Sequence, residues 1–331
     1  MSLSPAKRNH MNKLSTKDGI IAAAAMDQRG SLAKSLAAAK GVSQKEISQD
    51  MMEEFKTCVV KTLTPHATAI LLDTEFGLPA AKARASNAGL LLAYEKSGYD
   101  TTTTTRLPDL LPELSALRIK ELGADAVKIL LYYAPNDDEK VNTIKHAFIE
   151  RIGGECASAE IPFFLEFIGY DPKGVDEKSL EFAKMKPEIV LASMKEFSKP
   201  RYQVDVLKVE VPVNADYVEG SSVYKGQKAY TRAEALTHYR RAAEVTSLPF
   251  IYLSAGVSNA QFIESLNMAG EAGTDYSGVL CGRATWKEGI PVYAKQGKAA
   301  LEDWLNKEGV NNINAVNQAL KTAKPWTNRL K

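Results

Sequence analysis

Val204-Asp-Val-Leu-Lys208-Val-Glu-Val-Pro212 is a strand-like run in which a lysine stands among apolar residues. An ammonium group on a buried strand costs several kcal/mol of desolvation unless a partner compensates it. Burial also favours the neutral amine, which can attack a ketone and form a Schiff base. Lys208 is therefore predicted to carry a function rather than to fill space.

This run is one of eight short apolar segments that alternate with longer amphipathic segments along the chain. In chain order the predicted strands span residues 20–28, 69–77, 89–96, 126–133, 162–170, 204–212, 250–256 and 278–284. Their continuous apolar character is typical of parallel strands that are covered on both faces. The pattern predicts an α/β fold, a single (β/α)8 TIM barrel over residues 1–331, with about 80 residues beyond the usual ~250 in extended termini and loops.

The segments between the strands carry helix signals. Capping boxes, in which a hydroxyl accepts a first-turn N–H, are predicted for Ser43 with Glu46, Thr231 with Glu234, and Ser258 with Gln261. We expect helices over residues 31–38, 43–63 and 290–308. The threonine run over residues 101–105 is expected to be a loop between a strand and a helix.

Composition excludes several classes of protein. A formal net charge of +2 gives no field that favours nucleic acid or an acidic membrane surface. The 3 cysteines are too few and too scattered for a disulfide framework or a zinc cluster. The N-terminus lacks the apolar core of a signal peptide, and no apolar stretch reaches the ~18 residues of a membrane span. We expect a cytoplasmic protein that acts on a small molecule, has no nucleic-acid or membrane partner, and forms a symmetric homo-oligomer, the commonest assembly.

In such barrels the active site lies at the C-terminal ends of the strands. Polar residues late in the predicted strands are therefore the candidates for function. They are Asp27, Gln28, Arg29, Asp73, Glu75, Glu95, Lys128, Glu166, Lys208, Glu210, Ser254 and Arg283.

Alternate residues of a strand share a face, so Lys208 and Glu210 are predicted to point the same way. Glu210 would lie nearer the barrel mouth, where it could orient the amine. Lys128 and Glu166 sit comparably on the two preceding strands, so the sequence predicts that Lys128, Glu166 and Lys208 meet. A structural ion-pair network is the alternative. Buried ion pairs are weak stabilisers, which favours a retained function.

Two glycine-containing motifs follow the last two strands, Ser254-Ala-Gly256 and Cys281-Gly282-Arg283. Loops at these places of a barrel often bind phosphate on backbone N–H groups, and Arg283 could add bidentate contacts. In the alternative reading, Gly256 and Gly282 only make tight turns. The histidines fall outside the strand ends, so neither a metal nor any other cofactor is predicted, although carboxylates could hold magnesium.

Several motifs together resemble the class I tagatose 1,6-bisphosphate aldolases of Gram-positive bacteria, over essentially the whole chain. They are Asp27-Gln-Arg-Gly30, Leu71-Leu-Asp-Thr-Glu-Phe-Gly-Leu-Pro79, Leu90-Leu-Leu-Ala-Tyr-Glu-Lys96, Asp205-Val-Leu-Lys-Val-Glu-Val-Pro-Val-Asn214, Tyr252-Leu-Ser-Ala-Gly-Val257 and Gly278-Val-Leu-Cys-Gly-Arg-Ala-Thr-Trp286. The resemblance implies a (β/α)8 barrel that cleaves a sugar bisphosphate by way of a lysine Schiff base.

The resemblance also implies a role for each matched residue. It makes Lys208 the Schiff-base lysine and Glu166 the acid/base. Lys128, Asp27 and Gln28 would contact the reacting centre of the substrate, and Arg29 would bind the substrate beside them. The residues expected to hold a phosphate are Ser254, Gly256, Gly282 and Arg283.

Three other functions remain open. One is a barrel isomerase or epimerase that moves protons on a sugar phosphate without a covalent lysine, and a second is a metal-dependent aldolase. The third is a barrel that binds sugar phosphate and regulates a partner protein. The epimers tagatose and fructose 1,6-bisphosphate differ only at C4, so the sequence leaves the stereochemical preference undecided, and acceptance of fructose 1,6-bisphosphate is expected as well.

Overall fold

A computed structural model describes residues 3–96 and 103–330, and in them eight parallel strands close into a barrel. The strands are β1 Ile21–Met26, β2 Ala69–Leu72, β3 Gly89–Ala93, β4 Ala126–Tyr133, β5 Phe163–Gly169, β6 Val206–Glu210, β7 Phe250–Leu253 and β8 Gly278–Cys281. Each strand pairs with the next in the chain, and β8 pairs with β1. The predicted (β/α)8 barrel is confirmed.

Each predicted segment contains one strand, but only β4 has the predicted bounds. Most of the other strands end two to five residues before the predicted end. The polar residues there lie outside the barrel ladder and belong to the loops at the C-terminal ends of the strands. Asp27 after β1 and Asp73 after β2 are examples.

Helices surround the barrel on the outside. They are α1 Pro5–Lys13, α2 Gly30–Lys40, α3 Gln49–Leu63, α4 Leu78–Ala83, α5 Ala116–Glu121, α6 Glu139–Ser158, α7 Leu180–Phe197, α8 Arg232–Glu244, α9 Asn259–Glu271, α10 Arg283–Trp286, α11 Gly289–Trp304 and α12 Val310–Ala319. A short two-stranded ribbon, Val218–Glu219 with Tyr230–Thr231, lies in the loop after β6. Within the described residues, no helix is long and apolar enough to cross a membrane.

All three predicted capping boxes are present, but the first one does not begin a long helix. Ser43 opens only the 3-10 turn Gln44–Glu46, after which Ile47 is extended. The α3 helix starts at Gln49, where the side chain of Ser48 accepts the N–H of Met51. The predicted helix over residues 43–63 is thus wrong at its start, because a second N-cap residue lies five positions further on.

The predicted helix over residues 290–308 also differs from the structure. Gly297 interrupts α11 with a φ of 81°, a conformation that glycine adopts at little cost. The chain then continues through the π-helical turn Leu305–Gly309 into α12. In the threonine run, residues 101 and 102 lie outside the described residues, and residues 103–105 form bends as expected of a loop.

Apolar side chains fill the half of the barrel that lies at the N-terminal ends of the strands. The inward-facing set comprises Ile21, Ala23, Ala25, Ala69, Leu71, Leu91, Ala126, Phe164, Val206, Ile251 and Leu280. Met11 and Leu14 of α1 and Trp326 near the C-terminus join this cluster and close the barrel at the N-terminal ends of the strands. Because the N-terminal half of the barrel is filled in this way, inward-facing charged residues are confined to the C-terminal half.

Candidate active site

The C-terminal half of the barrel encloses a cavity of about 860 Å³. Strand parity directs the charged side chains into it: Val206, Lys208 and Glu210 alternate with Leu207 and Val209, which pack outside the barrel. Of the candidates predicted from the sequence, the cavity is lined by Asp27, Gln28, Arg29, Glu95, Lys128, Glu166, Lys208, Glu210, Ser254, Gly256, Gly282 and Arg283.

Lys128, Glu166 and Lys208 meet inside the cavity, as predicted. Glu166 pairs directly with Lys208 across β5 and β6, and its Oε2 lies 2.8 Å from Lys208 Nζ. The same oxygen lies 2.9 Å from Lys128 Nζ. All three residues are at most 7% exposed. One carboxylate oxygen therefore joins two buried amines.

Lys128 has two further carboxylate partners. Its Nζ lies 2.9 Å from Asp27 Oδ2 and 2.9 Å from Glu95 Oε1. The other oxygen of Glu95 accepts the N–H of Leu130 at 3.1 Å, so Glu95 is fixed to strand β4 at the same time. Glu95 belonged to the polar residues at the predicted strand ends but received no role; its even spacing from Ala93 and Leu91 is the signal that places it inside.

The pKa directions follow from this arrangement. Burial lowers the pKa of Lys128, but Asp27, Glu166 and Glu95 together raise it well above the usual lysine value. Burial raises the pKa of Glu166, whereas Lys128 and Lys208 lower it below the ordinary glutamate value on balance. At neutral pH Lys128 is therefore a cation and Glu166 a carboxylate base.

Glu95 behaves in the opposite way. Burial is the largest effect on it and raises its pKa above the ordinary value, although Lys128 and Arg29 oppose the change. Asp27 has a strongly lowered pKa: burial raises it, but Lys128 and Lys208 outweigh that effect. The pocket thus holds carboxylates of different proton affinity around one ammonium group.

The Asp27-Gln28-Arg29 segment lines one wall of the cavity. Arg29 Nη2 donates to the backbone oxygen of Glu95 at 2.9 Å. Gln28 Oε1 and Arg29 Nη1 are buried and have no hydrogen-bond partner among residues 3–96 and 103–330. Buried polar atoms are normally paired, so these two groups mark places where a ligand can supply the missing contact.

The loops after β7 and β8 adjoin each other because the two strands are paired. Gly256 has a φ of 78°, and a Cβ atom placed on it would lie 2.7 Å from the guanidinium carbon of Arg283. A Cβ atom on Gly282 would lie 3.2 Å from the backbone oxygen of Ala25. Glycine at position 256 therefore serves both the turn and the close approach of Arg283. The result is a guanidinium group beside the loops that follow β7 and β8.

Glu210 does not orient Lys208, which corrects the expectation from strand parity. Its Oε1 lies 3.1 Å from Lys186 Nζ, and its Oε2 accepts the N–H of Gly169 at 2.8 Å. Parity gave the correct face, but a lysine from the outer helix α7 reaches over the strand end and takes this carboxylate.

Two other polar residues near the end of β2 stay out of the cavity. Asp73 is fully buried and accepts a hydrogen bond from Lys56 of α3 at 2.5 Å. Glu75 is exposed. Both had the same sequence signal as Asp27, so position late in an apolar segment does not by itself distinguish the pocket from its surroundings.

Cys281 is buried in β8. Burial raises the pKa of the Cys281 thiol to about 12, which disfavours a thiolate. No group of three or more histidine, cysteine, aspartate or glutamate residues is arranged there to hold a metal ion. The buried charges that meet in the cavity around Lys128 and Lys208 are the carboxylates of Asp27, Glu95 and Glu166.

Known proteins resemble this chain over nearly its full length. Residues 21–288 match the sequence profile of the DeoC/LacD family aldolases. Tagatose 1,6-diphosphate aldolase of Listeria monocytogenes is 53% identical over 98% of this chain and 95% of its own length. Tagatose 1,6-diphosphate aldolase of Streptococcus agalactiae is 51% identical over 99% of this chain and 100% of its own length.

Solved structures share the fold at low sequence identity. Fructose-bisphosphate aldolase of Plasmodium falciparum superposes with a TM-score of 0.70 at 14% identity, covering 98% of this chain and 97% of that one. A Schiff-base-forming fructose 1,6-bisphosphate aldolase gives 0.55 at 12% identity, covering 90% and 97%. These two likenesses concern the barrel fold alone.

Replacing Lys128 with methionine should raise the pKa of Glu166. Glu166 stays buried in this variant, whereas the largest single charge interaction that lowers its pKa is removed. The measurement is a carboxyl-carbon NMR titration of glutamate-labelled protein. Lys186→Met removes a cavity cation that contacts Glu210 instead, and it is the control. An unchanged or lowered Glu166 pKa in Lys128→Met would contradict this electrostatic account.

Proposed function

The chain belongs to the DeoC/LacD family of aldolases, and on this premise we propose that it reversibly cleaves tagatose 1,6-bisphosphate into dihydroxyacetone phosphate and glyceraldehyde 3-phosphate. The reaction runs through a Schiff base on Lys208. The observation that carries the proposal is the 2.8 Å contact between Lys208 Nζ and Glu166 Oε2 inside a barrel cavity. It joins a buried amine to the base that covalent ketose cleavage needs.

The geometry supports Lys208, rather than Lys128, as the proposed nucleophile. Lys128 contacts three carboxylates, which keep its proton in place. Among the described residues the structure gives Lys208 a single carboxylate partner, Glu166. A nucleophilic amine must lose its proton, so the lysine surrounded by three carboxylates serves better as a fixed cation.

The chemical steps balance with the groups present. The lone pair of neutral Lys208 attacks the C2 carbonyl carbon, and loss of water leaves a protonated imine. Glu166 takes the proton of the C4 hydroxyl, the C3–C4 bond breaks, and its electron pair moves towards the imine to form an enamine. Glyceraldehyde 3-phosphate leaves. Protonation at C3 and addition of water then release dihydroxyacetone phosphate and restore the amine.

Glu166 and Lys128 are suited to these roles by their charge states. The lowered pKa of Glu166 supplies a carboxylate that can accept the hydroxyl proton. Lys128 remains a cation and can hydrogen-bond the substrate hydroxyls. Asp27 holds Lys128 in place at 2.9 Å, and Gln28 and Arg29 offer their unpaired polar atoms to the substrate.

The loops after β7 and β8 suit one phosphate of the substrate. Ser254 and Gly256 follow β7, and Gly282 and Arg283 follow β8, on the cavity wall. Backbone N–H groups with an adjacent guanidinium are a common phosphate cradle. We also expect a cytoplasmic homo-oligomer that needs no cofactor and binds neither nucleic acid nor membrane.

Lys208→Ala should abolish the covalent intermediate. Borohydride reduction in the presence of dihydroxyacetone phosphate should label Lys208 in the wild type, with no adduct in the variant and kcat lowered about 10³-fold or more. Lys128→Ala should keep part of the adduct and lose about 10²–10³-fold in kcat, because it removes a charge contact rather than the nucleophile. Mass spectrometry of the reduced peptide locates the adduct.

Lys186→Ala is the matched control for trapping, because it removes another cavity lysine, which pairs with Glu210. It should keep the adduct on Lys208. Turnover in the wild type without any adduct would favour an isomerase or another aldolase mechanism, and full turnover in Lys208→Ala would exclude Lys208 as the nucleophile.

Gly256→Ala should weaken phosphate binding. The new Cβ atom forces a strained φ and lies against the Arg283 guanidinium, so KM should rise about tenfold with a smaller change in kcat. Inhibition by inorganic phosphate should weaken in parallel. Gly273→Ala is the control, since its φ is 71° but nothing lies within 4 Å of its Cβ position. Equal effects in both variants would leave only backbone strain as the cause.

The wild type should cleave tagatose and fructose 1,6-bisphosphate when the two are assayed side by side. The epimers present the same ketone and phosphates, so the covalent step is common to both. A coupled assay of glyceraldehyde 3-phosphate with and without a chelator measures this. Loss of activity with the chelator would favour a metal-dependent aldolase. If neither bisphosphate is cleaved, the result would favour the barrel that binds sugar phosphate and regulates a partner protein.

A further inference from the structure

We propose that Lys56 and Asp73 form a positioning pair outside the barrel, which fixes Asp27 and thereby holds Lys128 for the reaction. The inference rests on the proposed function, because it assigns a role around the same amine and carboxylate groups. Neither Lys56 nor Asp73 lines the cavity. Their effect on the chemistry would be transmitted through the backbone of the loop after β1.

Lys56 lies on α3 with its side chain completely buried, and its three ammonium donors have three acceptors. Its Nζ donates to the backbone oxygen of Met26 at 2.7 Å and to that of Gln28 at 2.7 Å. The third partner is Asp73 Oδ2 at 2.5 Å. With every donor paired, the ammonium is fixed to the end of β1, to the loop after it and to the residue after β2.

The two carbonyl acceptors flank Asp27 in the chain. Lys56 therefore holds the backbone carbonyl groups of the two residues on either side of Asp27, whose carboxylate contacts Lys128 at 2.9 Å. Asp73 is fixed in turn, because its Oδ1 accepts the N–H of Phe76 at 2.7 Å. A continuous series of contacts thus runs from α3 through Asp27 and Lys128 to Glu166.

Stability alone does not account for this pair. Burying two charges costs several kcal/mol per ion, and replacing such a pair with apolar residues is often neutral or stabilising. Burial lowers the pKa of Lys56, and Asp73 opposes that change by favouring the ammonium form. A salt bridge with this cost, placed directly behind a residue of the proposed active site, is better explained by the geometry that it imposes.

The chain contains a matched pair at the other end of the barrel. Lys7 Nζ lies 2.7 Å from Asp205 Oδ2, and that carboxylate accepts the N–H of Phe163 at 2.8 Å. Both side chains are at most 10% exposed. This pair joins α1 to the start of β5 and to the residue before β6, away from the cavity, so it provides a comparison lysine–aspartate pair without the connection to Asp27.

The test is the double variant Lys56→Met with Asp73→Asn, which leaves no unpaired buried charge. We expect kcat to fall about 100-fold, since displacement of a reacting group by about 1 Å can cost that much. KM should stay within about threefold, and the borohydride adduct on Lys208 should still form. Asp73→Asn alone, which keeps the ammonium and its two carbonyl contacts, should lower kcat about tenfold and serves if the double variant fails to fold.

Lys7→Met with Asp205→Asn is the control, measured for kcat, KM, adduct and free energy of unfolding. It should keep wild-type kcat whatever stability it loses. Wild-type kcat in the Lys56 and Asp73 variants, or an equal loss of kcat in both double variants, would overturn the proposal. Failure of the proposed function itself would be recognised separately, because the wild type would then give neither adduct nor cleavage.

Discussion

The contact on which the mouth of this barrel depends is the sharing of one Glu166 oxygen between two buried amines. Three carboxylates, Asp27, Glu95 and Glu166, surround Lys128, and in a cavity of low dielectric such charges are stable only while that lysine stays protonated. The arrangement therefore gives the two lysines different surroundings. Lys128 compensates three carboxylates, whereas Lys208 has Glu166 as its one carboxylate partner among the described residues, which supports the proposed choice of Lys208 as the nucleophile.

The fold makes this arrangement possible by filling one end of the barrel and leaving the other open. Small and branched side chains occupy the lower layers, and α1 with Trp326 closes the N-terminal end. Above Val206 in strand β6, the same inward face carries Lys208. Alternation along β6 thus places the apolar Val206 and the charged Lys208 two residues apart on the same face of one regular strand.

Much of this could be predicted from the sequence, because strand alternation and strand-end position depend on local patterns. The eight strands, the closed barrel and the meeting of Lys128, Glu166 and Lys208 followed from them. The partner of Glu210 did not, since parity gives the face of a side chain and says nothing about a lysine that reaches over from α7. The start of α3 was wrong because Ser43 and Ser48 are both good N-cap residues.

Lys56 also escaped sequence analysis, although a signal was present. On α3 it lies among Met52, Phe55, Val59, Val60 and Leu63, the apolar face of the helix, just as Lys208 lies among apolar strand residues. A charge on a buried face requires compensation in a helix as much as in a strand.

The two readings of the buried charges, structural network and reactive site, can be distinguished by how completely their polar groups are satisfied. The Lys56 ammonium has an acceptor for each donor and does not line the cavity at the barrel mouth. Lys128, Glu166 and Lys208 instead border a cavity of about 860 Å³. Beside them, Gln28 Oε1 and Arg29 Nη1 have no hydrogen-bond partner in the described part of the chain. Leaving the two atoms unpaired costs roughly 1–3 kcal/mol each, a cost that a polar ligand in the cavity can offset. Contacts within the protein therefore account for every donor of Lys56, whereas the groups beside Lys208 retain the capacity to bind a polar ligand.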